Sequence, residues 1–140
     1  MTEFSVSASL GLLILRLGTG LVCIVHGYPK MTGRGGQEKA GREHLTQSIA
    51  RMGLPFPHIL AIVVGTVEFF GGLFLALGLA TRWTALVVAF VMLVASARNF
   101  FQKQFLGSAD FPFSLLVATL ALALLGAGAL SLDYLFFAGP

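Results

Sequence analysis

Charged side chains make up only 11% of these 140 residues, against about 25% in soluble globular domains. With 56% hydrophobic residues and a mean hydropathy of +0.88, that shortage excludes an ordinary water-soluble composition. Cysteine is almost missing as well. The single Cys23 excludes an internal disulfide, a dithiol relay within one chain and a four-cysteine iron–sulfur site. Acids number six against nine Lys and Arg, a formal charge of +3, yet no basic patch with interleaved aromatics occurs. Nucleic acid is therefore not an expected partner. Met1–Ser9 lacks the basic region of a signal peptide, and Val22 precedes Cys23 where a lipoprotein cleavage site needs a small residue. The first hydrophobic helix is expected to stay in the mature protein.

What the chain has is long apolar runs. A span of about 20 apolar residues crosses a bilayer core, and lipid permits little but helices when no strand alternation is present. Four segments qualify, at about 8–25, 57–79, 83–101 and 111–130. The short connection Ala80-Thr81-Arg82 makes the second and third antiparallel neighbours. The expected fold is all-α: one domain over 1–140, an integral membrane four-helix up-down bundle with membrane lipid around it.

The long first connection opens with Gly27, Pro29, Gly33, Gly35 and Gly36 and then turns helix-prone. Over about 37–52, Leu45, Ile49 and Met52 share one helical face while Lys39, Arg42, Glu43 and Gln47 cover much of the rest. A short amphipathic helix in the headgroup region fits that pattern, with an ordinary polar connector as the plainer alternative. Seven basic residues (Lys30, Arg34, Lys39, Arg42, Arg51, Arg98, Lys103) fall on the side of the first and third connections, and only Arg82 on the other. The bias toward cytoplasmic Lys and Arg puts both termini outside a bacterial inner (plasma) membrane.

Charges inside apolar runs identify inward faces, because a charge facing lipid costs at least roughly 2.5–3.5 kcal/mol. Arg16, Gly20, Cys23, Gly27 and Lys30 recur at helical spacing in the first segment, and Ala61, Gly65, Glu68, Gly72 and Ala76 in the second. If Arg16 and Glu68 stand at mid-membrane, they meet as an ion pair. His26 and His58 then lie about 15 Å lower, near Lys30, Arg98 and Asn99. The plain reading of Arg16–Glu68 is a register-fixing pair whose desolvation cancels most of its attraction; the functional one is a proton site at Glu68. The plain reading of His26 and His58 is two interfacial side chains bonded to the loop. Functionally, with Lys30 and Arg98, they could hold the polar head of a lipid-soluble ligand such as a quinone. A bis-histidine haem has no support in the spacing, and a zinc site lacks a third good ligand. Cys23, among apolar neighbours, reads as a small hydrophobe.

The same residues carry a resemblance. The first segment reads Arg16-Leu-Gly-Thr-Gly-Leu-Val-Cys-Ile-Val-His26-Gly27-Tyr-Pro-Lys30. Gly53-Leu-Pro-Phe-Pro57 leads into the second, which holds Glu68-Phe-Phe-Gly71-Gly72 and runs on to Gly78-Leu-Ala-Thr81-Arg82. The chain closes with Gly126-Ala-Gly128-Ala-Leu-Ser131-Leu-Asp133. In this order, over about Leu10 to Asp133, the set resembles the DoxX family of small four-helix bacterial membrane proteins. The resemblance implies kinship with subunits of thiosulfate:quinone oxidoreductase and with oxidative-stress membrane complexes. Two departures stand out: Asp110-Phe-Pro where the family often has Glu, and Ala129 where it often has Arg.

The leading expectation is an accessory or anchor subunit of a quinone-linked oxidoreductase, without a cofactor of its own and bound to other membrane or peripheral subunits. Its candidate ligand residues are Arg16, His26, Lys30, His58, Glu68, Arg98 and Asn99, with no catalytic or metal residue. A non-enzymatic scaffold in a larger membrane complex is the alternative. A small-solute or proton transporter is third, since neither a broken-helix pair nor an inverted repeat is visible.

Overall fold

The computed structural model describes residues 3–33, 36–101 and 109–137, with side chains for 6–33, 41–101 and 109–136. Arg34, the Lys39 side chain and Lys103, counted above for orientation, lie outside that description. Among the described residues six helices follow in order: α1 Glu3–Thr32, α2 Gly36–Arg51, α3 Pro57–Leu77, α4 Thr81–Phe101, α5 Asp110–Leu125 and α6 Leu132–Phe137. No strand occurs among the described residues. The all-α membrane bundle expected from the sequence is what forms.

Burial is inverted relative to a soluble protein. Outward faces carry apolar side chains such as Trp83 (76% exposed) and Phe90 (68%), while Arg16, Thr19, Glu68, Ser96, Asn99 and Thr119 are buried. A surface this apolar belongs in lipid. By length and hydropathy α1, α3 and α4 can cross a membrane; α5 is apolar but only 16 residues long.

Two boundaries differ from expectation. Gly27 and Pro29 look like turn residues, but α1 runs through both to Thr32. Pro29 forfeits only one backbone bond near the helix end, and Gly27 serves another purpose described below. At the far end, α5 stops at Leu125 instead of about residue 130, because Gly126 (φ 82°) and Gly128 (φ 76°) take left-handed conformations that open to glycine far more readily than to other residues. The chain turns there into α6, which the hydropathy pattern did not separate from the fourth segment.

The closest helix contact is α1 against α3. A Cβ added to Gly20 would sit 2.6 Å from the Gly72 carbonyl oxygen, and one added to Gly72 would sit 2.6 Å from that of Gly20 and 2.8 Å from the Cys23 Cβ. At Gly27 an added Cβ would lie 2.8 Å from the Gly65 oxygen and from the Glu68 Cβ. The small-residue faces read in the sequence thus meet backbone to backbone, as lipid-phase packing favours. The second helix pair is α4 with α5; α3 touches α4 far less, and α1 touches α5 lightly. Around the bundle the order is α1, α3, α4, α5, with α2 lying on α1 and α3.

This antiparallel register overturns the Arg16–Glu68 pair. Gly27 packs at the level of Glu68, so Arg16, eleven residues earlier, is displaced by about 16 Å. The partner of Glu68 is Lys30, whose Nζ donates to Oε1 at 2.8 Å and to Oε2 at 2.6 Å. Placing Arg16 at mid-membrane assumed that the first span ends near Val25; the extra seven residues to Thr32 move its centre and bring Lys30 to the carboxylate.

Arg16 belongs to a clasp at the end of the bundle away from α2. Its Nη2 donates to the Leu130 carbonyl. Asp133 accepts the backbone N–H of Ala80 at Oδ1 (2.6 Å) and of Thr81 at Oδ2 (2.8 Å), and its own N–H donates to the Gly78 oxygen at 2.8 Å. A carboxylate from a distant part of the chain thereby caps the N-terminus of α4, where orphan N–H groups and the helix dipole favour negative charge. The clasp ties the α5–α6 turn to the α3–α4 hairpin.

Three outcomes follow for unfolding in detergent. Gly72→Leu should lose stability by at least about 1–3 kcal/mol, the range for an overfilled interior, whereas Gly18→Leu, with nothing within 4 Å of its Cβ position, should change little. Lys30→Ala should cost about 3–5 kcal/mol by stranding a buried carboxylate; adding Glu68→Ala should recover part of it, and a strictly additive double-mutant cycle would show no pair. Asp133→Ala should cost about 1–2 kcal/mol as a lost cap, with Asp133→Asn in between.

Candidate functional site

At the α2 end the two helix pairs separate around a cavity of about 370 Å³. Each helix contributes a stripe at helical spacing: Cys23, His26 and Lys30 from α1, Leu60, Val64 and Glu68 from α3, and Val91, Ala95, Arg98 and Asn99 from α4. Phe111, Pro112 and Leu115 of α5 close one side, and His44, Leu45, Ile49 and Met52 of α2 lie across the end. Most of the wall is apolar, with the polar atoms gathered in two groups.

The first group is the ion pair. Glu68 is 3% exposed and Lys30 remains 24% exposed at its side chain, so the carboxylate is deep and the ammonium reaches toward the opening. The second is the Arg98–Asn99 fork: Arg98 Nε (3.0 Å) and Nη2 (2.6 Å) both donate to the Asn99 Oδ1. That pairing fixes the plane of the guanidinium and leaves Nη1 outside it. His26 adds an imidazole to the same wall. Its Nδ1 lies 3.0 Å from the Val22 carbonyl, an acceptor only, so the neutral ring carries its proton on Nδ1 and presents Nε2 as an acceptor. The ring also lies 4.6 Å from that of Phe111, tilted by 31°.

Five of the seven sequence candidates therefore share one cavity: His26, Lys30, Glu68, Arg98 and Asn99. Two do not. Arg16 is sealed into the clasp at the opposite end. His58 is exposed and off the cavity, because it lies two residues, or about 200° of helix rotation, from the Leu60–Val64–Glu68 stripe. Sequence reasoning missed His44. The signal was present, since His44 falls beside Leu45, Ile49 and Met52 on the apolar face of α2. Asp110 stays local, its Oδ1 accepting the Phe111 N–H at 2.8 Å. Among the described residues no group of three or more His, Cys, Asp or Glu is arranged to hold a metal ion.

Chemically the cavity can grip a flat, mostly apolar group through its polar edge. It offers donors at Arg98, an acceptor at His26 Nε2, and a buried carboxylate paired with the Lys30 ammonium.

Comparison with known proteins agrees with this architecture. The DoxX family profile matches residues 11–103, the stretch from early α1 past the end of α4. The protein named "Putative oxidoreductase CatD" from Bacillus subtilis (strain 168) is 33% identical over 133 residues, covering 95% of this chain and 92% of its own length. "Inner membrane protein YphA" from Escherichia coli (strain K12) is 30% identical over 139 residues, covering 94% of each. No solved structure gives a significant match. With the family profile spanning most of the chain and two relatives aligned nearly end to end, the chain belongs to the DoxX family.

Proposed function

We propose that this protein is an integral accessory or anchor subunit of a quinone-linked oxidoreductase, and that the cavity at the α2 end receives the quinone head. The carrying observation is the convergence of His26, Lys30–Glu68 and Arg98–Asn99, from three helices, on one apolar-walled space. Its volume of about 370 Å³ lies in the range of ligand pockets, which are mostly apolar with a few placed polar groups. A relative named as an oxidoreductase supports the redox assignment.

On this reading Arg98 donates to a ring carbonyl, and His26 Nε2 accepts from a ring hydroxyl of the reduced form. The Lys30–Glu68 pair keeps a proton acceptor at depth. Electrons are exchanged with a partner protein, because a single cysteine leaves no iron–sulfur ligand set in the chain. On this reading the α2 end faces the cytoplasm, which the Lys and Arg bias supports, and the membrane is a bacterial inner membrane, which a relative named an inner membrane protein supports. Both termini are then outside, and α2 offers the partner its polar face.

Native mass spectrometry of the detergent-extracted complex tests this directly. Bound quinone and at least one partner subunit should appear together. Arg98→Ala and His26→Ala should each lower retained quinone at least about tenfold, the equivalent of one good polar contact, while His58→Ala should leave it unchanged. A spectrum with partner but no quinone would transfer the protein to the scaffold alternative; one with neither would end the proposal.

A further inference from the structure

A second depression lies on the opposite half of the bundle, a furrow of about 260 Å³ between α3 and α4. Its walls are Val67, Phe70 and Phe74 on one side and Val87 and Trp83 on the other, with Gly71 and Val88 at its floor. The side chains are apolar except Thr84, whose hydroxyl is turned away to the Leu79 carbonyl at 3.4 Å.

The furrow continues the head cavity. Along α3 the cavity stripe Leu60–Val64 leads at three- and four-residue steps into Val67, Phe70 and Phe74; along α4 the stripe Val94–Phe90 leads into Val87 and Trp83. Both stripes therefore keep one helix face, and the end of one opening adjoins the start of the other. Phe90, 68% exposed, stands at the junction on the lipid side. The seam exists because α3 gives most of its close packing to α1 through glycine and α4 gives most of its own to α5, so that between the α3–α4 hairpin and the α2 end the two helices meet chiefly along the floor, where Gly71 packs on Val88.

From this continuity we infer that the furrow seats the apolar tail of the same membrane quinone whose head the cavity holds. The ligand class is thereby a long-tailed, lipid-phase quinone entering sideways between α3 and α4, not a short-chain ring diffusing in from water. The inference rests on the head-site reading above. The polar groups needed for a head occur only at the α2 end of the seam among the described residues, and everything beyond Glu68 along it is hydrocarbon-like. Arg98 and Trp83 are fifteen residues apart on α4, so the seam runs about 22 Å from head to far end.

The whole chain in lipid nanodiscs, with two quinones of identical ring, separates the possibilities. One carries an isoprenoid tail and the other a methyl group. A tail leaving lipid for a groove gains packing but little hydrophobic energy, so the tailed form should bind about tenfold tighter at equal membrane concentration. Val67→Phe with Val87→Phe should abolish that advantage while leaving the methyl form within about twofold, and Arg98→Ala should weaken both. Trp83 is the only tryptophan in the sequence and stands at the far end of the furrow, so a tail brominated near its end should quench it saturably at one equivalent. Equal binding of both quinones without saturable quenching would overturn the tail site and leave the head site standing. Saturable quenching by a brominated phospholipid that the tailed quinone fails to displace would assign the furrow to bilayer lipid and overturn it equally. Binding of neither ring would remove the head-site reading and this inference with it.

Discussion

Where α1 crosses α3, main chain touches main chain at Gly20, Gly27, Gly65 and Gly72, and a single added Cβ would fall within 3 Å of the facing helix at each of them. Inside a bilayer no hydrophobic gain accompanies helix association, so close van der Waals contact carries much of the pairing. A contact of this kind has one register. Sliding α1 by a turn would set Cys23 or Ile24 where glycine is required. Because the register is fixed by backbone clearance, the charged side chains take the levels it gives them. Lys30 arrives at Glu68, and Arg16 arrives at the α3–α4 turn.

The bundle that results is asymmetric along its axis. At one end Arg16, Asp133 and the glycine turn at 126–128 bind the α5–α6 segment to the hairpin, mostly through backbone acceptors and donors. At the other end no such clasp joins the helix pairs among the described residues, and they part around the cavity. A structure pinned at one end and open at the other places its adjustable volume where the polar residues are. The long α1, carried past Pro29, supplies both extremes: Arg16 to the clasp and Lys30 to the cavity wall.

Much of this was legible in the sequence. Hydropathy located the apolar helices, and the spacing of Leu45, Ile49 and Met52 located α2. The glycine stripes on the first two spans named the helices that touch, and five cavity residues came from asking which polar groups face inward at one depth. What failed was depth itself. Composition locates a span only to within several residues, and a helix that continues through Gly27 and Pro29 shifts every level derived from its midpoint. That error paired Arg16 with Glu68 across what is about 16 Å of register. The role of Asp133 as the cap of α4, some fifty residues earlier, was not readable, since the partnership exists only after the Gly126–Gly128 turn folds back. His58 failed for a rotational reason and His44 was overlooked for none, its helical face having been read correctly.

The contrast between the two buried cations bears on what the ion pair is for. Arg16 is 1% exposed and serves the clasp, so its position is explained by the fold alone. The Lys30–Glu68 pair is not needed to hold α1 on α3, because glycine contacts on either side of it already do so. A buried pair is an expensive way to gain stability, since desolvation offsets most of its attraction and apolar replacements of similar size often do as well or better. The pair nevertheless lies on a cavity wall, with its carboxylate deep and its ammonium partly open. A fold that needed only adhesion would put Leu and Met there. On the proposed reading, two opposite charges at that spot add what apolar residues lack, a polar pair held at depth on the cavity wall, which suits the ring of a ligand with hydroxyls and an apolar tail.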